Sequence, residues 1–196
     1  MILIDWLKSH DLDPAKGTCV ALATDGLSPD KSRLLGVGLQ SETIEFKAIY
    51  ITGAEPHLAE KYTGIPPAYY HEKAVGPARA RELLIELFDQ IDFLVVYAAP
   101  FFKRWALEQC DALTQCPVFD IIPYVKLIEN GEHLFETTGT DIDDLTSLLE
   151  GNTHTIKGGY SFDAVCSRMW DYKLEGNLFE NKVRYLYKLY QTMLLR

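Results

Sequence analysis

The sequence predicts an α/β domain built on a mixed sheet, and three observations lead there. Residues 17–51 read as three consecutive strands separated by turns, an antiparallel meander. Residues 92–122 read as strand, helix, strand, the order that produces parallel pairing. Helical patterns occupy most of the remaining chain, so the sheet has helices to cover it. The 196 residues suit one domain, taken as residues 1–196 with 1–16 an N-terminal arm or short helix. A hydrophobic content of 47% is enough for a substantial core.

Each element has a local reason. "GTCVALAT" (17–24) is apolar on both faces, as a central strand should be. Gly26, Ser28 and Pro29 make the turn after it. "RLLGVGLQ" (33–40) and "TIEFKAIYI" (43–51) follow as a hairpin about a short turn at 40–42. "PHLAEKYTG" (56–64) ends on Gly64, a natural helix stop. "PARARELLIELFDQ" (77–90) begins with Pro77 in its first turn and repeats Leu83, Leu84, Leu87 and Phe88 at helical spacing. "DFLVVYAA" (92–99) is a buried strand, "FFKRWALEQC" (101–110) a helix, and "PVFDII" (117–122) a strand, with "YVKLIENG" opening a further helical segment. A short helix is expected at 141–150, with Asp141 as its cap and Asp144 completing a capping box. Helices are expected again at 161–172 and 178–195. In the last, Phe179, Val183, Leu186, Tyr190 and Met193 step by three or four residues and predict one buried stripe.

Bulk properties narrow the function. A net charge of −9 gives no general electrostatic footprint for nucleic acid or anionic membranes, though a local basic face remains open. No run approaches the ~20 apolar residues of a membrane span, and the acidic start "MILIDWLKSHDLD" does not fit a signal peptide. The four cysteines, Cys19, Cys110, Cys116 and Cys166, match no metal-site spacing and read as reduced thiols of a cytoplasmic protein.

The order of several short motifs carries a resemblance. "VALATDGLSPDKSRLLGVG" is followed by "KYTGIPPAYY", "DFLVVYAAPFFKRWALEQ", "PVFDIIPYVKL" and a closing helix–loop–helix from "YSFDAVCSRMW" onward. Together, over residues 17–195, they resemble the motifs of DnaQ-like 3′–5′ exonucleases, the DEDD group of the ribonuclease H-like superfamily. The resemblance implies a ribonuclease H-like fold with three antiparallel strands followed by two parallel ones. It also implies phosphodiester hydrolysis by two divalent cations on clustered carboxylates.

The positions that would carry that chemistry hold other residues. The family's D-x-E, two carboxylates on one strand face, falls on Ala21 and Ala23; Thr24, Gly26 and Leu27 match, with Asp25 between them. Its His-Asn pair falls on Tyr97 and Ala98, the next acid on Phe102, and the closing histidine and aspartate on Gly176 and Asn181. The resemblance therefore implies a degenerate site with no metal expected, Phe102 filling space the cations would take. Magnesium or manganese would be required only in an active nuclease with acids relocated among Asp25, Asp120, Asp163, Asp171 and Glu175.

Simpler readings stand beside the sharp ones. Asp25 suits an Asx-turn before Gly26. Asp120 suits a buried structural acid bonded to a neighbouring loop. Asp163 suits the first turn of a helix. "LFETTG" (134–139) repeats the family letters at the wrong place, after the third motif and with Leu134 where an acid should be. His57, His71, His133 and His154 lie at no ligand spacing. Lys103, Arg104 and Lys182 could contact nucleic acid, as could Arg184, Lys188 and Arg196 on the locally basic last helix. Seven tyrosines, among them Tyr97, Tyr185 and Tyr187, could stack on bases or simply pack. The expected function is binding or scaffolding, with single-stranded nucleic acid, a nucleotide or a protein as partner. A protein-interaction module, dimerising through the aromatic last helix, is the further alternative.

Overall fold

The computed structural model describes residues 3–9, 11–53, 55–122, 124–125, 161–170 and 177–195. In chain order these form α1 (Leu3–Ser9), β1 (Gly17–Thr24), β2 (Leu34–Gln40), β3 (Lys47–Tyr50), α2 (Pro56–Thr63), α3 (Pro67–Lys73), α4 (Pro77–Ile85), β4 (Phe93–Val96), α5 (Ala99–Gln109), β5 (Val118–Asp120), α6 (Phe162–Met169) and α7 (Leu178–Leu194). The five strands lie in one sheet in the order β3-β2-β1-β4-β5. β1, β2 and β3 pair antiparallel, and β4 and β5 join β1 in parallel. This is the mixed sheet that the sequence predicts, flanked by helices.

Side-chain alternation sends each strand's residues into two separate layers. Val20, Val37, Leu39, Ile49, Leu94, Val96 and Val118 face α4 and α5, where Leu84, Trp105 and Ala106 complete the layer. Cys19, Phe93, Val95 and Phe119 face the other way, onto α1 through Leu3 and Leu7 and onto α7 through Leu186, Leu189, Tyr190 and Met193. The same layer continues over Ala23 and Tyr50, which meet Phe179 and Val183 of α7 and Tyr70 of α3. All five stripe residues expected on the last helix are buried.

Several boundaries differ from those expected. β3 starts at Lys47, because Ser41 closes its own loop first: its N–H donates to the Ile44 carbonyl (3.0 Å) and its hydroxyl accepts from Ile44 N–H (2.9 Å). The helix expected over 77–90 ends at Ile85 and continues as a turn and a 3-10 segment that bring Leu87 and Ile91 into the core. The strands expected at 92–99 and 117–122 shorten to Phe93–Val96 and Val118–Asp120, and the helix expected at 101–110 starts at Ala99. The helix expected over 161–172 runs from Phe162 to Met169, capped by Ser161, whose hydroxyl accepts from Ala164 N–H at 3.2 Å. α3 was not anticipated. Gly64 ends α2 as foreseen, in the left-handed region at φ 73° that only glycine adopts without cost. The helices expected after Val125 and at 141–150, "LFETTG", His133 and His154 lie outside the described residues.

Candidate functional site

The parallel ladder between β1 and β4 is short. It joins Gly17 to Phe93, Thr18 to Leu94 and Cys19 to Val95, while β1 itself runs on to Thr24. The two strands therefore part at their carboxyl ends. From β1 the chain proceeds to β2 and β3 on one side, and from β4 to β5 on the other. Such a point, where strand order reverses, leaves a crevice at the carboxyl ends that neither hairpin nor crossover covers. A cavity of about 150 Å³ occupies it, lined by Ala21, Leu22, Tyr97, Phe101, Phe102 and Phe162, with Leu186 and Lys182 of α7 on its far wall. Tyr97 and Phe162 meet edge to face, with ring centroids 5.2 Å apart. Lys182 is exposed and, among the described residues, has no carboxylate within ion-pair distance. Among the described residues the crevice is thus an apolar, aromatic slot with one ammonium at its rim.

The structure brings Ala21, Tyr97, Phe102 and Lys182 together. Ala23 lies further along the same face of β1, beneath α7. Its neighbours across β2 are Gly36 and, one pair back, Gly38 opposite Ala21. A Cβ at Gly38 would stand 2.6 Å from Val183 Cγ2 and 2.9 Å from the Phe179 ring. The four small residues 21, 23, 36 and 38 form a seat into which α7 sinks. Phe102 belongs to the core between the sheet and α5 and also lines the cavity beside Ala21. The space above Ala23 is filled by Phe179 and Val183 instead. Asn181 sits in the first turn of α7, behind its cap residue Asn177. Gly176, Asp171 and Glu175 lie outside the described residues.

The two nearby acids that sequence offered as relocated ligands are both engaged with backbone. Asp25 Oδ1 accepts from Arg33 N–H at 2.6 Å, and Asp25 N–H donates back to the Arg33 carbonyl at 3.1 Å, closing the β1–β2 loop. Thr24 hydroxyl donates to the Gly26 carbonyl in the same turn (2.8 Å). Asp120, only 2% exposed, accepts from the N–H groups of Ala98 (3.2 Å), Ala99 (2.7 Å) and Ile122 (3.0 Å). It holds the start of α5 to the end of β5, the structural role expected of it. Asp163 lies in the first turn of α6. Among the described residues no three His, Cys, Asp or Glu side chains gather closely enough to hold a metal ion. The crevice offers carbon where a hard divalent cation needs oxygen, so these residues do not fit a metal pair.

Two polar residues do work that the sequence did not reveal. Gln109, at the end of α5, accepts from Leu34 N–H (2.7 Å) and donates to the carbonyls of Pro29 and Ser32 (2.6 Å each). Arg104 donates to the Leu27 carbonyl at 2.6 Å. Together they clamp the β1–β2 loop against α5 and leave Leu27 81% exposed. Arg104 had been a candidate nucleic-acid contact, and its guanidinium holds the loop. A lone glutamine in a helix carries no pattern that marks such a clamp.

No family model and no curated protein matches this chain. Among solved structures it resembles one described as the apo form of a nuclease, at 17% identity over 100% of this chain and 79% of that one, with a TM-score of 0.42.

Proposed function

We propose that this chain is a catalytically degenerate, ribonuclease H-like domain of the DnaQ-like type that binds single-stranded nucleic acid or a nucleotide without hydrolysing it. The observation that carries the reading is the crevice where β1 and β4 part. It sits at the place where open α/β sheets receive ligands, it is walled by aromatic rings that suit a planar base, and it has a single ammonium for a phosphate. The order of motifs along the sequence supports the fold assignment, and Ala21 and Ala23 support the loss of hydrolysis. The alternative of a module dimerising through the last helix is less well supported, because Phe179, Val183, Leu186, Leu189, Tyr190 and Met193 are consumed by the chain's own core.

The test pairs binding with turnover. A labelled single-stranded oligonucleotide is titrated at low salt, then incubated with manganese. Binding that weakens as salt rises, with no release of mononucleotides, is the expected result. Shortening of the oligonucleotide would revive the active-nuclease reading, and absence of binding would remove nucleic acid as the ligand.

A further inference from the structure

From Lys182 a ridge leads away from the crevice. Lys182, Tyr185 and Lys188 follow one another at three-residue steps on α7, so Tyr185 adjoins each lysine in a row that winds round the helix by about 60° per step. Trp170, just past the end of α6, packs against Tyr185 with ring centroids 6.0 Å apart. The Lys188 ammonium lies 4.5 Å from the Trp170 centroid and 5.8 Å from that of Tyr185. Trp170 and Tyr185 are half-buried, and both lysines are exposed. Among the described residues neither lysine has a carboxylate at ion-pair distance, whereas Arg184 on the same helix is paired with Glu180 at 2.5 Å. In a chain of net charge −9, two lysines beside an aromatic pair, with no carboxylate at ion-pair distance among the described residues, stand out locally.

We propose that this ridge continues the crevice as the path of a single strand: the crevice takes one base, Lys182 and Lys188 take phosphates, and the Trp170–Tyr185 pair is a stacking platform for a later base. The inference rests on the nucleic-acid reading of the crevice. The two lysines are six positions apart on α7, a rise of about 9 Å at ~1.5 Å per residue. A stacked strand rises about 3.4 Å per nucleotide, so the ridge reaches about three nucleotides beyond the crevice. The alternation of ammonium and ring matches the alternation of phosphate and base. An acidic peptide would use the lysines and make no use of the ring faces.

The experiment is a length series on the full chain: 5′-phosphorylated thymidine mononucleotide, dinucleotide, tetranucleotide and hexanucleotide at low salt, with a glutamate-rich peptide as the competing polyanion. Affinity should rise about tenfold from one to four nucleotides and then level off, as stacking on one platform allows. Each phosphate contact should add about 0.7 to the slope of log affinity against log salt. Lys188→Gln and Tyr185→Ser should bring the tetranucleotide down to the affinity of the mononucleotide. Trp170→Phe keeps a ring in place; it should hold affinity within about threefold and abolish the quenching of tryptophan fluorescence that stacking produces. Mononucleotide binding without any gain on lengthening would overturn the ridge and leave the crevice reading intact. A gain on lengthening that Lys188→Gln and Tyr185→Ser leave in place would overturn the ridge as well. Failure of every length to bind would overturn both readings, and tighter binding of the glutamate-rich peptide would replace the nucleic acid as occupant.

Discussion

Ala98 is one of two non-glycine residues with positive φ among the described residues. It stands at the junction of β4 and α5 with φ 66° and ψ 73°, a left-handed geometry that side chains with a Cβ avoid. Asp120 keeps it there by accepting from its N–H and that of Ala99. Two opposite mutational effects are expected. Ala98→Gly should stabilise the protein by about 0.5–1 kcal/mol in urea unfolding, since glycine adopts this geometry freely. Asp120→Ala should cost about 2–4 kcal/mol, because buried N–H groups lose a charged acceptor. Destabilisation by the glycine variant would show that the junction is not strained. The acid at 120 was legible in sequence as a buried structural group, since a lone carboxylate in "VFDII" must find donors. The left-handed alanine was not, because the letters "YAAP" do not signal φ > 0.

Among the elements, α7 was the most legible and the β1–β2 loop the least. A period of three to four over seventeen residues leaves little doubt about which side of α7 is buried, and the structure buries that side. The loop contains its own turn residues, yet its shape is fixed by Gln109 and Arg104 from a helix some eighty positions away, a long-range pairing with no local pattern. α6 adds an effect of pH. Burial, reinforced by the Asp163 charge, pushes the Cys166 thiol from its ordinary 9.0 up to about 12, and burial pushes Cys110 up to about 11. A raised value means that the folded state holds its proton more tightly. The stability this contributes is complete below pH 9 and is lost as pH climbs toward 11 and then 12. Urea midpoints under reducing conditions should fall over that range, and less steeply in Cys166→Ala. An equal fall in both would assign the alkaline loss to other groups.

For the whole molecule, sheet and last helix are interlocked at the small-residue seat, and this joins stability to function. The double variant Ala21→Asp with Ala23→Glu tests the connection. Ala23 is 4% exposed under Phe179 and Val183, so a glutamate there is a charge without a partner in an apolar layer. The variant should unfold at markedly lower urea, by about 3 kcal/mol or more, and should show no manganese-dependent hydrolysis. Hydrolysis by a stably folded double variant would refute the seat as an obstacle. The order of strands was readable from motif order, as was the meeting of Ala21 and Tyr97 at one crevice, whereas Ala23 lies under α7 outside it. The seat itself was not, because Gly36 and Gly38 acquire meaning only once α7 is seen lying across them.

That seat makes history directional. A carboxylate arriving alone at position 23 meets a helix already in its place, so it is selected against before it can bind anything. Withdrawal of α7 alone would leave an empty hollow over the sheet. Neither single step is free of cost, so the residue at position 23 and the seating of α7 on the sheet can change only together.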